Sequence, residues 1–182
     1  LRELAKHELS VSMVGLYSDA AEDAKAKSLY NQLEGKPVHV DYDIFGTVTG
    51  RLTTMRGSFP MLNLKKELKH HVKPTNDVFL ELDFNAAEVR TLLALQNIEQ
   101  PKEDIHEWNI KNIFKQEMPR EKAKQKLFAW LYNPESKSID DGVYDRESIL
   151  RKYYKGGVIQ TPFGRTINAP GPKALNYLLQ ST

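Results

Sequence analysis

The segment between Pro119 and Pro134 constrains the fold most, because it predicts a long and sharply bounded helix. Pro119 occupies a position where a first-turn proline is favoured, and Asn133-Pro134 ends the helical pattern. At about 100° per residue, side chains four positions apart drift by only about 40° per step, so they form one slowly winding stripe. The stripe contains Arg120, Lys124, Phe128 and Tyr132.

The two ends of this stripe differ in chemistry. Two cations stand at one end and two aromatic rings at the other, and the rise of the helix separates Arg120 from Tyr132 by roughly 18 Å. A nucleoside triphosphate has the same polarity, with a polyanionic tail joined to a flat base. Cations can neutralise phosphates, and rings can pack on sugar and base. The alternative is an ordinary helix whose rings lie in the core and whose cations face solvent.

A second informative feature is an acid that follows a short apolar segment. Residues 78–82 predict a strand, and Asp83 stands at its end, where ligands commonly bind. A carboxylate there can hold Mg²⁺, which prefers oxygen ligands and often binds through one or two carboxylates plus substrate phosphates. The alternative is an aspartate that caps the next helix.

Helical and extended patterns alternate along the rest of the chain. Helices are predicted over residues 19–34 with Asp19 as the cap, over 86–97, 105–116 and 145–155, and from about Pro172 onward. Residues 38–54 predict a strand, a turn and a strand, and residues 158–165 predict a strand and a turn.

Charge and composition leave several function classes open. The formal net charge is only +2, so overall basicity does not indicate nucleic-acid binding, and without cysteine there is no disulfide or thiolate metal site. No apolar run approaches the roughly 20 residues that a membrane span needs, so no membrane partner is expected. Residues 65–73 hold four lysines and two histidines against one glutamate. This stretch predicts either a solvated face or a phosphate-contacting surface.

Two segments resemble the best-known motifs of family A DNA polymerases. Residues 83–90, Asp-Phe-Asn-Ala-Ala-Glu-Val-Arg, resemble motif A, with its Asp, aromatic, small or polar residues, Glu, aliphatic and Arg. Residues 120–132 resemble motif B, in which Arg, Lys, Phe and Tyr are each separated by three residues.

Four further segments match in the order that the family has them. Residues 49–54 resemble its Thr-Gly-Arg-Leu-Ser-Ser segment, and Leu62-Asn63 resembles the Gln-Asn step that follows. Residues 104–106, Asp-Ile-His, resemble the opening of a fingers helix. Gly164-Arg165 together with residues 176–180 resembles the turn and helix that return to the palm. The ordered set covers roughly residues 40–182 and is far more specific than any single match.

This resemblance implies an α+β fold that is part of a polymerase palm, an antiparallel sheet with packed helices, plus a helical fingers subdomain. It implies a partial palm with a thumb base in residues 1–95, fingers in residues 96–157 and a return to the palm in residues 158–182. The thumb and motif C, which supplies the second metal-binding carboxylate, are expected to lie outside the sequence. These residues alone are therefore expected to catalyse poorly.

The implied activity is template-directed DNA synthesis, in which a primer 3′-hydroxyl attacks a deoxynucleoside triphosphate with the help of two Mg²⁺ ions. The implied partners are primer-template DNA and deoxynucleoside triphosphates. By the same resemblance Asp83 and Lys124 are catalytic, and Asp83 and the backbone carbonyl of Phe84 bind metal. Implied nucleotide contacts are Glu88, which excludes a 2′-hydroxyl, and His106, Arg120, Lys124, Phe128 and Tyr132. Implied primer-template contacts are Arg51, Asn63, Asn176 and Gln180.

Departures from the family pattern indicate a divergent, phage-type member. Asn133 replaces a glycine after the motif B helix, and Ala86 replaces a glutamine in motif A. The expected location is the cytoplasm of a bacterial or phage-infected cell, with an organelle as the alternative.

Two other functions stay open. A single-subunit RNA polymerase shares the helix pattern, although Glu88 argues against an enzyme that must admit the 2′-hydroxyl. The other is a non-catalytic nucleic-acid-binding module.

Overall fold

The computed structural model describes residues 6–139 and 142–182. It divides into two units, each with its own hydrophobic core. The first unit comprises residues 6–47 and 52–82, and the second comprises residues 48–51 and the described residues from 83 onward. Helices and small antiparallel sheets make up both units, which confirms the α+β class. Among the described residues, no helix combines the length and the apolar character that crossing a membrane requires.

The first unit packs two helices with two short strand pairs. Its helices are α1 (Met13–Asp19) and α2 (Ala24–Leu33), and its 3₁₀ helices are Met61–Asn63 and Lys66–His71. Strand β1 (Ser10–Val11) pairs antiparallel with β4 (Val72–Lys73), and β2 (Tyr42–Asp43) pairs antiparallel with β3 (Thr53–Thr54). The β2–β3 pair lies within the strand, turn and strand predicted over residues 38–54. The buried core consists of Leu16, Ala26, Leu29, Leu33, Val38, Val40, Phe59, Leu68 and Val72.

The helix predicted over residues 19–34 corresponds to α2, which begins only at Ala24, and the prediction of Asp19 as its cap is wrong. Asp19 is the last residue of α1. Asp23 caps α2, because its Oδ1 accepts hydrogen bonds from the backbone N–H groups of Lys25 and Ala26 at 2.6 and 3.0 Å. A capping carboxylate stands directly before the first helical residue, and Asp23 stands directly before Ala24.

The second unit contains five α-helices in its described part. They are α3 (Ala87–Leu95), α4 (Ile105–Asn109), α5 (Arg120–Tyr132), α6 (Arg146–Tyr153) and α7 (Ala174–Ser181). A π-helical turn, Ile110–Phe114, continues α4, and a 3₁₀ turn, Gly171–Lys173, precedes α7. When the π-helical turn is counted with α4, each of these helices begins and ends within a few residues of a predicted one.

A three-stranded antiparallel sheet completes the second unit. Its order is β5 (Tyr154–Lys155), β6 (Val158–Gln160) and β7 (Thr166–Asn168). Strand β6 matches the strand predicted from residue 158, whereas β5 and β7 were not predicted. Strand β5 is two residues long and directly follows α6, so the helical pattern conceals it.

Helix α5 buries one face in the core, and the stripe of Arg120, Lys124, Phe128 and Tyr132 lies next to that face. Its buried residues are Ala123, Leu127, Trp130 and Leu131. They recur at the spacing of a core-facing helix surface. Phe128 is half-buried and Tyr132 is 47% exposed, so neither ring belongs to the fully buried core. The interpretation of the rings as core residues therefore holds in part for Phe128, which packs against the core, and not for Tyr132.

The strand predicted over residues 78–82 is absent, and this prediction is wrong. Residues 78–84 form no regular element, and the side chains of Val78, Phe79, Leu80 and Leu82 are 62–83% exposed. A strand needs a hydrogen-bonded neighbour, and none of the described strands pairs with this segment. Asp83 therefore does not end a strand. It does not cap α3 either, because Ala86 occupies that position.

Candidate functional site

A cavity of about 460 Å³ lies in the second unit, between the turn that leads into α3, the start of α4 and the stripe of α5. Its volume falls within the range of small-molecule sites, roughly 300–1,000 Å³. Nine residues given a role by sequence line it: Arg51, Asp83, Phe84, Glu88, His106, Arg120, Lys124, Phe128 and Tyr132. The remaining lining residues are Asn85, Ala86, Ala87 and Val89.

All four residues of the stripe face this cavity. The rings of Phe128 and Tyr132 are parallel within 6°, with centroids 5.7 Å apart. The ring of His106 lies 6.4 Å from that of Phe128 and is tilted against it. The predicted arrangement, with cations at one end and rings at the other, is thus present on one side of one cavity.

At the cationic end, Arg120 is held by a carboxylate. Its Nε and Nη2 donate to the two oxygens of Asp104 at 3.2 and 2.8 Å. Asp104 also caps α4, since its Oδ1 accepts from the backbone N–H groups of His106 and Glu107. The Arg120 guanidinium, helped by these N–H groups, holds the pKa of Asp104 well below its usual range. Arg120 is therefore oriented before any ligand arrives.

His106 lines the cationic end of the cavity and is 3% exposed. Burial lowers the pKa of His106 more than the nearby Asp104 carboxylate raises it, so the imidazole is neutral at neutral pH. Its Nδ1 has no hydrogen-bond partner within the described part of the chain. A neutral imidazole supplies one N–H donor, so His106 can meet an anion as a hydrogen-bond donor but not as a counter-ion.

At the other end, Glu88 connects three segments of the second unit. Its Oε1 accepts from Arg51 Nη2 at 3.2 Å and from Gln180 Nε2 at 3.1 Å, and its Oε2 accepts from the Tyr132 hydroxyl at 2.5 Å. Burial and this bond to Glu88 raise the pKa of Tyr132 to about 12. Glu88 thus brings residues predicted to contact the nucleotide together with residues predicted to contact DNA, a link that the sequence did not reveal.

The segment that carries Arg51 is held by Arg165, at the turn between β6 and β7. Arg165 donates from Nη1 to the Thr49 carbonyl at 2.9 Å and from Nη2 to the Val48 carbonyl at 3.0 Å. Gly50 has a φ of +83°, and a Cβ at this position would lie 2.2 Å from Arg165 Nη1. Only glycine therefore allows the guanidinium to approach this backbone, and Arg165 positions Arg51 near Glu88.

Gly50→Ala is expected to lower the free energy of unfolding by about 2–4 kcal/mol, the sum of left-handed strain and crowding against Arg165. Gly164→Ala is the matched control, because Gly164 has a φ of +80° and a Cβ added there would meet no atom within 4 Å. It is expected to cost only about 1–2 kcal/mol. Urea unfolding of both variants measures the difference. Equal losses would mean that Arg165 moves aside at no cost.

The turn before α3 is held in place by Arg90. Arg90 Nε donates to the Asn85 carbonyl and its Nη1 donates to the Pro101 carbonyl, each at 3.0 Å. Ala86 adopts a left-handed conformation with a φ of 51°, which turns the chain into the helix. Asp83 and Phe84 precede this turn, are exposed and line the cavity. Sequence identified Arg90 as part of the motif but gave it no role.

Three predicted DNA contacts lie outside the cavity lining. Asn63 belongs to the first unit, in the 3₁₀ helix Met61–Asn63. Asn176 and Gln180 lie on α7, and Gln180 reaches the site through its bond to Glu88. The structure thus connects Gln180, but not Asn176, to the predicted nucleotide contacts through a described hydrogen bond.

No protein-family model matches the sequence, and no curated protein matches it either. Function is therefore inferred from the residues around the cavity and from the resemblance of their motifs.

Proposed function

We propose that these residues are the palm and fingers part of a family A DNA polymerase, and that the cavity binds the incoming deoxynucleoside triphosphate. The observation that carries this proposal is the stripe of α5. Its two cations and two rings line the same cavity as Asp83. The motif order along the chain supports the same assignment.

The triphosphate is bound at the cationic end. Lys124 is half-buried, so its ammonium group acts on a phosphate with less screening than a surface lysine would. Arg120 offers a planar guanidinium that suits phosphate oxygens, and His106 offers one neutral N–H group. Charge-assisted hydrogen bonds of this kind contribute roughly 1.5–3 kcal/mol each.

The sugar and base are bound at the aromatic end. The stacked rings of Phe128 and Tyr132 form a flat apolar surface beside Glu88. Rings in such positions pack on sugar and base with favourable dispersion contacts. Because three donors fix the Glu88 carboxylate, its position limits the space next to the sugar.

Asp83 and Phe84 line this cavity, and a carboxylate and a backbone carbonyl are oxygen ligands that suit Mg²⁺. Two bound ions would activate the primer 3′-hydroxyl and stabilise the leaving pyrophosphate. Glu88, the other acid in the cavity lining, already accepts three hydrogen bonds. The described residues therefore fit one carboxylate of a two-ion site, and the proposal requires a second from another segment.

Glu88→Ala is expected to raise the use of ribonucleotides relative to deoxynucleotides by about tenfold or more, because truncation opens space for a 2′-hydroxyl. One clash or polar contact worth about 1.4 kcal/mol corresponds to this factor. The measurement is the ratio of kcat/KM values for the two sugars. Glu88→Gln keeps the bulk of the side chain and is the matched control, with a ratio closer to that of the wild type. An unchanged ratio in Glu88→Ala would contradict the role.

A second candidate, a non-catalytic nucleic-acid-binding module, is favoured by the basic stretch of residues 65–73. Lys66, Lys69 and Lys73 are exposed there, whereas Lys65 pairs with Asp23 at 2.6 Å. Exposed lysines of this kind suit phosphate contacts that depend on salt.

Primer extension by the full-length protein distinguishes these functions. The assay contains labelled primer-template DNA, Mg²⁺ and either deoxynucleotides or ribonucleotides. Extension with deoxynucleotides is the expected result. Preference for ribonucleotides would favour an RNA polymerase, and DNA binding without extension would favour the binding module.

A further inference from the structure

We propose that Asp19, His70 and His71 of the first unit form a binding site for Zn²⁺. One nitrogen or oxygen atom from each side chain can act as a ligand, and these atoms all lie within 4.8 Å of one another. The site uses none of the residues of the cavity, and it does not depend on the proposed function.

His71 is the buried member of the group. It is 4% exposed, and its Nε2 lies 2.6 Å from Asp19 Oδ2. The backbone beside it is fixed, because the His71 carbonyl accepts from Ser12 N–H at 2.8 Å and Val72 is paired with Val11. The carboxylate oxygen accepts this hydrogen bond, so Nε2 carries the proton in the free protein. Zn²⁺ would take the place of this proton, which is released to solvent on binding.

Helix α1 leaves space for the His71 ring at Gly15. Gly15 lies one turn before Asp19, so the two positions are on the same face of the helix. A Cβ at Gly15 would lie 2.8 Å from His71 Nδ1, closer than real contacts allow. Glycine is unfavourable within a helix, and here it leaves the space that the imidazole occupies.

His70 keeps the lone pair of its Nε2 available for an ion. Its Nδ1 lies 2.6 Å from the Glu67 carbonyl oxygen. A carbonyl only accepts, so Nδ1 carries the proton and Nε2 keeps its lone pair. Histidines that bind metals commonly donate their other ring N–H to a backbone carbonyl in this way. The His70 and His71 rings are 3.8 Å apart between centroids.

The types of ligand atom favour Zn²⁺ over other divalent ions. Two imidazole nitrogens and one carboxylate oxygen suit Zn²⁺, and three protein ligands leave one position for water. Mg²⁺ and Ca²⁺ prefer oxygen donors and do not suit this set. His70 is exposed and the Asp19 side chain is 41% exposed, so an ion can reach the site from solvent. Bound Zn²⁺ would join the end of α1 to the 3₁₀ helix Lys66–His71.

Titration of the full chain with Zn²⁺ tests the proposal. Calorimetry is expected to show one ion bound per chain, and millimolar Mg²⁺ is not expected to compete. At a free Zn²⁺ concentration about 100 times Kd, Tm is expected to rise by roughly 5–10 °C and to return after EDTA is added. Co²⁺ in place of Zn²⁺ is expected to give the visible absorption of a tetrahedral site.

Variants separate this site from adventitious binding. His70→Ala and Asp19→Asn are each expected to weaken Zn²⁺ binding by at least roughly 10- to 100-fold, because the loss even of an outer-shell partner of a metal has that effect. His7→Ala removes an exposed histidine outside the cluster and is expected to leave the affinity unchanged. Gly15→Ala favours the helix but displaces the His71 ring, and it is also expected to weaken binding. Absence of Zn²⁺ binding in the wild type, or equal affinity in His70→Ala and His7→Ala, would overturn the proposal.

Discussion

Asp83→Ala is expected to lower the rate of primer extension by the full-length protein on the order of 1,000-fold or more. In the proposed function this carboxylate holds the catalytic metal ions, which supply several kcal/mol of transition-state stabilisation, and about 1.4 kcal/mol corresponds to a factor of ten. Asp83 lies at the cavity, just before the turn that Arg90 holds ahead of α3. Single-turnover extension with saturating deoxynucleotide measures the effect on the chemical step.

Glu81→Ala is the matched control for this experiment. Glu81 is an exposed acid two residues earlier in the same segment and does not line the cavity. Its removal is expected to change the rate by less than about twofold, as is usual for an exposed position. An Asp83→Ala rate within a few-fold of the wild type, or equal losses in both variants, would exclude the metal-binding role.

Lys124→Ala is expected to lower kcat/KM for the incoming nucleotide by about 10- to 100-fold or more. The substitution removes a half-buried charge at the cationic end of the cavity, where the proposed function places the triphosphate, and a charge-assisted contact contributes roughly 1.5–3 kcal/mol. The dissociation constant for primer-template DNA is expected to change little, because the phosphates concerned belong to the nucleotide. Both constants are measured at fixed salt.

Lys122→Ala provides the comparison on the same helix. Lys122 is exposed, lies outside the cavity lining and is about 200° around the helix from Lys124. Its substitution is expected to leave both constants nearly unchanged. Equal effects of the two lysines, or a loss confined to DNA affinity, would mean that α5 is only a basic surface.

Helices that depend on local patterns could be predicted from the sequence, and elements that depend on distant partners could not. The spacing and proline boundaries of α5 are local, and its bounds were predicted closely. The strand over residues 78–82 was predicted from its apolar residues, but composition does not reveal whether a neighbouring strand exists. The start of α2 was predicted too early because Asp19 and Asp23 are both suitable caps, and only the fold decides between them.

In the candidate site, too, local features could be predicted from the sequence and long-range contacts could not. Sequence predicted nucleotide contacts within short motifs, and these residues line one cavity together with Arg51, which was predicted to contact DNA. It did not predict how they are connected, because the bonds of Glu88 join residues that are 37, 44 and 92 positions apart. The role of Arg165 was equally hidden, since its bonds reach across 116 and 117 positions.

The pairing of Arg120 with Asp104 favours anions that carry more than one phosphate. Asp104 already satisfies two donors of the guanidinium and is itself held by two backbone N–H groups. Asp104 and Glu121 accept from three of the five N–H donors of Arg120, so a single phosphate meets only part of the guanidinium. A polyphosphate that also reaches Lys124 gains a second contact at the same time. The cavity is therefore expected to bind a polyphosphate more tightly than a single phosphate ion.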